Sequence, residues 1–152
     1  MALKPHISVQ AGDFDLQSEV DKLTQGRKDI GAVVTFTGLC RDEGGKLNAL
    51  ELEHYPAMAE AQLNQIAQKA AKRWPLTGLT IIHRFGKIEP GANIVLVVTA
   101  SSHRRAAFEA ADYLMDYLKS EAPFWKKEHL AGAEDGDWVQ SKQADIDDLK
   151  RW

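Results

Sequence analysis

Cysteine is nearly absent from this chain. Cys40 is the only one among 152 residues, which excludes an internal disulfide and a thiolate-held metal cluster. Long apolar runs are missing too. The longest, residues 94–98, falls far short of the roughly 20 residues that span a bilayer. Residues 1–6, MALKPH, carry no apolar core of a signal peptide. The expectation is a cytoplasmic protein that does not enter a membrane. Positive charge is not in excess: 19 Lys and Arg stand against 22 Asp and Glu, a formal net charge of −3. That argues against general nucleic-acid affinity but leaves room for a local basic pocket. The histidines, His6, His54, His83, His103 and His129, show no HxH, HxxH or HExxH spacing, so no metal site is expected. No GxSxG, Walker loop or GxGxxG occurs either.

What is present is ordinary globular material, 44% hydrophobic and 27% charged. The length suits one domain over residues 1–152, or two small subdomains sharing a core. Residues 6–10 alternate as a strand. Asp13 or Asp15 opens a helix with Leu16, Val20 and Leu23 at helical spacing, stopped at Gly26. Residues 31–40, GAVVTFTGLC, predict a buried strand, and 41–46, RDEGGK, a mobile loop. Residues 47–55 predict a strand with Leu50, Leu52 and His54 on one face. Pro56 starts a helix to Trp74, with Ala59, Leu63, Ile66, Ala67, Ala70 and Trp74 in one stripe. Residues 79–85 predict a strand, EPGA at 89–92 a type II turn, and 93–101 a central strand. Ser101 or Ser102 caps a helix running to Lys119. Its buried stripe is Ala107, Phe108, Ala111, Leu114, Met115 and Leu118, with Asp112 and Asp116 opposite. Residues 124–130 and 138–140 follow as strands, 131–137 as a loop and 144–151 as a helix. The mixture is α+β.

Chemistry concentrates at 119–127, KSEAPFWKK. Pro123 breaks the helix that carries Lys119, so a turn decides whether Lys119 and Lys126 meet. Converging amines beside aromatic walls suit acid/base work, covalent catalysis or anion binding. The bland alternative is solvated lysines closing a helix C-terminus. At 101–105, SSHRR, a strand hands over to a helix N-terminus, where His103 and Arg104 suit phosphate or carboxylate. The alternative there is solvent exposure, or pairing with Glu109. Arg41 stands at the root of a glycine-containing loop, placed to swing over a ligand or simply exposed. Cys40 is a weak nucleophile candidate, since lone cysteines are usually buried hydrophobes.

The strings GAVVTFTGLCR, LELEHYPAM, HRFGKIEPG, SSHRRAAFEAADYLMDYLKSEAPFWKKE and DLKRW together resemble the large, catalytic subunit of molybdopterin synthase. The match runs from Gly31 onward and is most specific over 103–127. The resemblance implies an α+β fold with an α/β-hammerhead type core and an additional antiparallel β subdomain. It implies a homodimer within a heterotetramer, joined by a small ubiquitin-like subunit whose C-terminal Gly-Gly carries a thiocarboxylate. It implies sulfur transfer from that tail to cyclic pyranopterin monophosphate (precursor Z), forming the molybdopterin dithiolene, with no cofactor. By the same resemblance Lys119 and Lys126 are catalytic. Leu39, Cys40, Arg41, His103, Arg104, Lys127, Glu128 and Lys142 bind substrate, and Lys142 stands where the family has arginine. Leu39 and Cys40 replace a basic residue and valine common in the family. The helix that opens with His103-Arg104 and closes with Lys119 separates them by roughly 25 Å at 1.5 Å per residue. The site is therefore an elongated groove, or it is assembled across the dimer. The rival functions are a non-catalytic module for an acidic protein tail and a pterin-phosphate sensor.

Overall fold

A strand apolar on both faces belongs in the middle of a sheet, and Asn93–Ser101 is one. The computed structural model describes residues 3–42, 47–54, 56–120, 124–130, 138–139 and 147–152. The elements run β1 (His6–Gln10), α1 (Leu16–Thr24), β2 (Ala32–Leu39), β3 (Leu47–His54), α2 (Pro56–Arg73) and β4 (Leu76–Arg84). They continue as β5 (Gly86–Ile88), β6 (Asn93–Ser101), α3 (Arg104–Ser120), β7 (Phe124–Leu130) and β8 (Trp138–Val139). Two four-stranded sheets form, in the orders β1-β4-β6-β2 and β5-β3-β7-β8. In the main sheet β1 runs parallel to β4, while β6 is antiparallel to β4 and β2. The second sheet is wholly antiparallel. The class is α+β, as expected.

The main sheet is covered on both faces. The apolar stripe of α2 and that of α3 bury Leu79, Ile81, Val95 and Val97 on one side. Phe14, Val20 and Leu23 cover Ile82, Leu96 and Val98 on the other. Thr99, fully buried, donates its hydroxyl to the Ala107 carbonyl at 2.7 Å and so joins β6 to α3. A smaller cluster of Cys40, Leu50, Leu52 and Ile88 lies under the second sheet. Asp15 caps α1, its carboxylate accepting from the Gln17 N–H at 3.1 Å. The EPGA turn forms as expected: the Ala92 N–H donates to the Glu89 carbonyl at 3.0 Å, with Gly91 at φ 87°. Gly86, at φ 90°, turns the chain from β4 of one sheet into β5 of the other.

Several expectations need correction. Strand β2 is an edge of the main sheet, not a buried strand, and Val33, Phe36 and Leu39 are exposed on it. Its β-branched run reports a fit to a pleated, half-buried surface and does not say where in the sheet the strand lies. Strand β4 starts at Leu76, ahead of the expected 79, and the short β5 follows it. Of the two serines offered as caps, Ser101 accepts from the His103 N–H at 3.5 Å just ahead of α3 while donating to the Pro75 carbonyl, and Ser102 donates to the Asp29 carbonyl. Phe108 is 60% exposed, whereas Asp116 is only 7% exposed. The buried arc of α3 is turned toward Tyr113 and Asp116 because the end of the chain lies on that side. Residues 43–46, 55, 131–137, 140 and 144–146 of the expected elements lie outside the described residues, while 147–149 are helical.

That end forms a clamp. Arg151 Nη2 donates to Asp116 Oδ2 at 2.6 Å and to Asp112 Oδ1 at 3.1 Å, and Trp152 Nε1 also donates to Asp116. The two carboxylates hold the guanidinium pKa above its ordinary value. Trp152 packs edge-on against Trp74 and Tyr113. Removing the arginine leaves a buried carboxylate short of a charged donor. Arg151→Ala is expected to lower the midpoint of a denaturant titration, because Asp116 loses its charged partner. An unchanged midpoint would show that Trp152 alone satisfies Asp116.

Candidate active site

One end of the main sheet gathers most of the expected site. There β2 ends opposite Asn93, the first residue of β6, and His83 near the end of β4 pairs with Val95. Leu39 is 55% exposed at this edge. Arg41 is exposed just beyond it. Cys40 between them is only 2% exposed and packs with Leu50, Leu52 and Ile88. Its N–H donates to the Ala92 carbonyl at 2.8 Å and its carbonyl accepts from Gly91 at 2.6 Å. Cys40 is therefore a root for the Arg41 loop. Its thiol faces the core, as a lone buried hydrophobe does.

The same end receives the lysines. Helix α3 brings Lys119, exposed, to its last turn, where a cation suits the helix dipole. Strand β7 then runs beside β3, pairing Lys126 with Leu52, Lys127 with Glu51 and Glu128 with Leu50. Leu52 is buried against Cys40 and Ile88. Glu51 lies on the opposite face, its carboxylate 3.2 Å from His129 Nε2. Residues 121–123 of the hinge, and Lys142, lie outside the described residues.

His103 and Arg104 are at the other end of the molecule. Ser101 pairs with Ala32 at the start of β2 and with Leu76 at the start of β4. Both His103 and Arg104 are exposed where α3 begins. Of the alternatives for this group, exposure holds for His103 and Arg104, and pairing with Glu109 holds for Arg105, at 3.9 Å. The 17 residues of α3 put roughly 25 Å between the two ends. Within one chain, then, Leu39, Arg41, Lys119 and the 126–128 segment share an end, and His103 and Arg104 do not.

Sequence reasoning missed a column of rings beside the hinge. Phe124, the first residue of β7, stacks on His83 at 3.6 Å between ring centroids and 11° between planes. His54 lies beyond it at 6.0 Å and contacts Phe85 at 4.3 Å. The available signal was the placement of all four at strand ends, since His54 and Phe124 are the last and first residues of paired strands.

Residues 9–121 match the family model described as MoaE protein. The chain belongs to the MoaE family. The molybdopterin synthase catalytic subunit of Mesorhizobium japonicum is 63% identical over 150 residues, covering 99% of this chain and 94% of that one. Among solved structures, the molybdopterin biosynthesis MoaE protein of Burkholderia ambifaria superposes with a TM-score of 0.84 at 43% identity, covering 98% of both chains. Molybdopterin synthase of Staphylococcus aureus does so at 0.78 and 31% identity, over 87% of this chain and 95% of that one. MoaE membership covers the α3 helix and both of its ends.

Proposed function

We propose that this chain is the catalytic subunit of a molybdopterin synthase. It takes sulfur from the C-terminal thiocarboxylate of a small ubiquitin-like subunit and places it on cyclic pyranopterin monophosphate, building the dithiolene in two transfers. What supports the reading is MoaE-family membership together with the topology, which puts Arg41 just after β2, Lys119 in the last turn of α3 and 126–128 in the strand that follows α3. A thiocarboxylate and a phosphate are both anions, and a cationic end suits both. Lys119 and Lys126 position the carbonyl end of the tail and move protons as sulfur attacks carbon. In each transfer a C–S bond forms at a side-chain carbon of the pterin as that carbon loses its oxygen, to the phosphate in one transfer and as water in the other; the acyl–sulfur bond is then hydrolysed, and the tail leaves as a carboxylate with oxygen from water. One transfer also opens the cyclic phosphate, whose oxyanion needs a proton and a cationic seat.

His103 and Arg104 supply the phosphate seat from the second protomer of a homodimer. Support comes from the distance between the two ends of α3 and from the open edge of β2, where Val33, Phe36 and Leu39 are exposed. An unpaired apolar edge needs cover. In the same reading Leu39, Lys127, Glu128 and Lys142 bind substrate, with Cys40 acting by holding Arg41. The reaction belongs to the cytoplasm; among the described residues no helix is long and apolar enough to cross a membrane.

The direct test mixes the purified chain with precursor Z and a thiocarboxylated small subunit and follows the pterin by mass spectrometry. The dithiolene product is expected. Tight binding of both reactants with no change in pterin mass would instead mark a binding module.

A further inference from the structure

We propose that the His83–Phe124 stack is a positioning device for the sulfur-transfer reaction, setting where Lys126 stands. The inference rests on the catalytic reading of Lys126 given above. Strand β7 lies between β3 and the short β8, which among the described residues pairs with it at Lys126 and Lys127. Its pairing with β3 already contains an irregularity between Leu47 and Ala49. A strand held this way needs something to fix its position along its own axis. A slip of one residue moves every position by about 3.3 Å and reverses the faces.

Phe124 supplies that fixed point, two residues before Lys126. Its ring crosses from the second sheet to the main one. It packs against the large core under α2 and α3 and lies flat on His83. His83 is itself immobilised. It is 6% exposed, and its Nδ1–H donates to the Arg84 carbonyl at 2.8 Å. Arg84 in turn donates to the Ala11 carbonyl from Nε and Nη2, at 3.2 and 3.0 Å, and to the Asn93 carbonyl from Nη1 at 2.8 Å. Asn93 Nδ2 donates to Asp13 at 2.9 Å. The strand end beneath Phe124 is thus tied to the residues after β1 and to the start of β6. On the far side His54, paired with Phe124 across β3 and β7, backs the ring and contacts Phe85. The column spans both sheets at the point where the chain leaves α3 for β7. Reacting groups must be placed to within about an ångström, and errors of that size cost on the order of 100-fold in rate. Phe124 and His83 touch no reacting atom in this account; they act through Lys126.

The experiment separates stacking from mere burial. Phe124→Leu keeps an apolar side chain and removes the planar ring. His83→Asn keeps an amide donor for the Arg84 carbonyl and removes the other half of the stack. Each is measured for single-turnover conversion at saturating precursor, for affinity toward the small subunit and for melting temperature, next to Lys126→Ala. The expected result is a loss of about 10- to 100-fold in turnover for both variants, with affinity for the small subunit unchanged. Phe124→Tyr and His83→Phe, which keep a flat ring, recover most of the rate. Should Phe124→Leu fail to fold, the His83→Asn and His83→Phe pair carries the comparison alone. Wild-type turnover in the ring-less variants, with Lys126→Ala inactive, overturns the stack and leaves the lysine reading standing. Full turnover in Lys126→Ala overturns both. Equal losses in ring-less and ring-keeping variants that follow the fall in melting temperature also overturn it, since a structural role predicts that pattern.

Discussion

Lys119→Ala and Lys126→Ala are each expected to lower conversion of precursor Z by at least about 100-fold, the usual scale for removing a positioned acid/base group. Dimerisation and melting temperature should change little. Lys119 is exposed at the last turn of α3, so its removal opens no cavity and costs the fold no more than a favourable interaction with the helix dipole, about 0.3–1 kcal/mol. The argument for a large effect is chemical. Sulfur attack frees an oxyanion at the opened phosphate, and water adding to the acyl–sulfur carbon makes another at the tail carbonyl; nearby ammonium groups are the natural counter-charges. If one lysine also forms a transient amide with the tail, its loss is the more severe. Single-turnover mass spectrometry of pterin and tail together distinguishes the roles. A variant that binds both reactants and returns unchanged thiocarboxylate has lost chemistry. Wild-type turnover in either variant would falsify the assignment of that lysine.

The elements that could be read from the sequence are those whose burial follows one period. The stripe of α2, Ala59, Leu63, Ile66, Ala67, Ala70 and Trp74, is buried throughout. Strand β6 is central, and β3 turns Leu50 and Leu52 inward as its alternation requires. What could not be read depends on partners distant in the chain. Asp116 sits among acidic and aromatic residues that suggest a solvated face, but Arg151, 35 positions later, draws it into cover. Phe108 satisfies the helical stripe and is left outside because the far end of the chain covers the other flank of α3. The apolar run in β2 said strand without saying edge. At the site, the lysines and Arg41 were legible as chemistry next to breaks in the chain. The ring column was not, because His83 and Phe124 are 41 positions apart and belong to different sheets.

The second large effect is a recovery. Two inactive variants, Lys126→Ala and Arg104→Ala, are expected to regain conversion when their protomers are mixed. The reason lies in how the two ends of the chain are arranged. Strand β2 runs from the Ser101 end, next to His103 and Arg104, to the Leu39 end, next to Arg41 and the lysines. A two-fold contact between identical edge strands is antiparallel, so it sets the start of one β2 against the end of the other. The partner's phosphate-binding pair then stands beside this chain's lysines, across a strand whose exposed Val33, Phe36 and Leu39 are covered by the same contact. In a mixed dimer one site carries both substitutions and the other carries neither. With random exchange, half the dimers are mixed and half of their sites are intact, so activity should rise toward about one quarter of wild type. A site built within one chain gives no recovery at any mixing ratio, because every site then carries one lesion. The mixture would be made by co-expression under two affinity tags, with the doubly tagged dimer isolated before assay. That dimer should reach about half of wild-type conversion. If it stays as inactive as its parents, the cross-protomer arrangement is wrong, and the groove along α3 must accommodate the whole substrate within one chain.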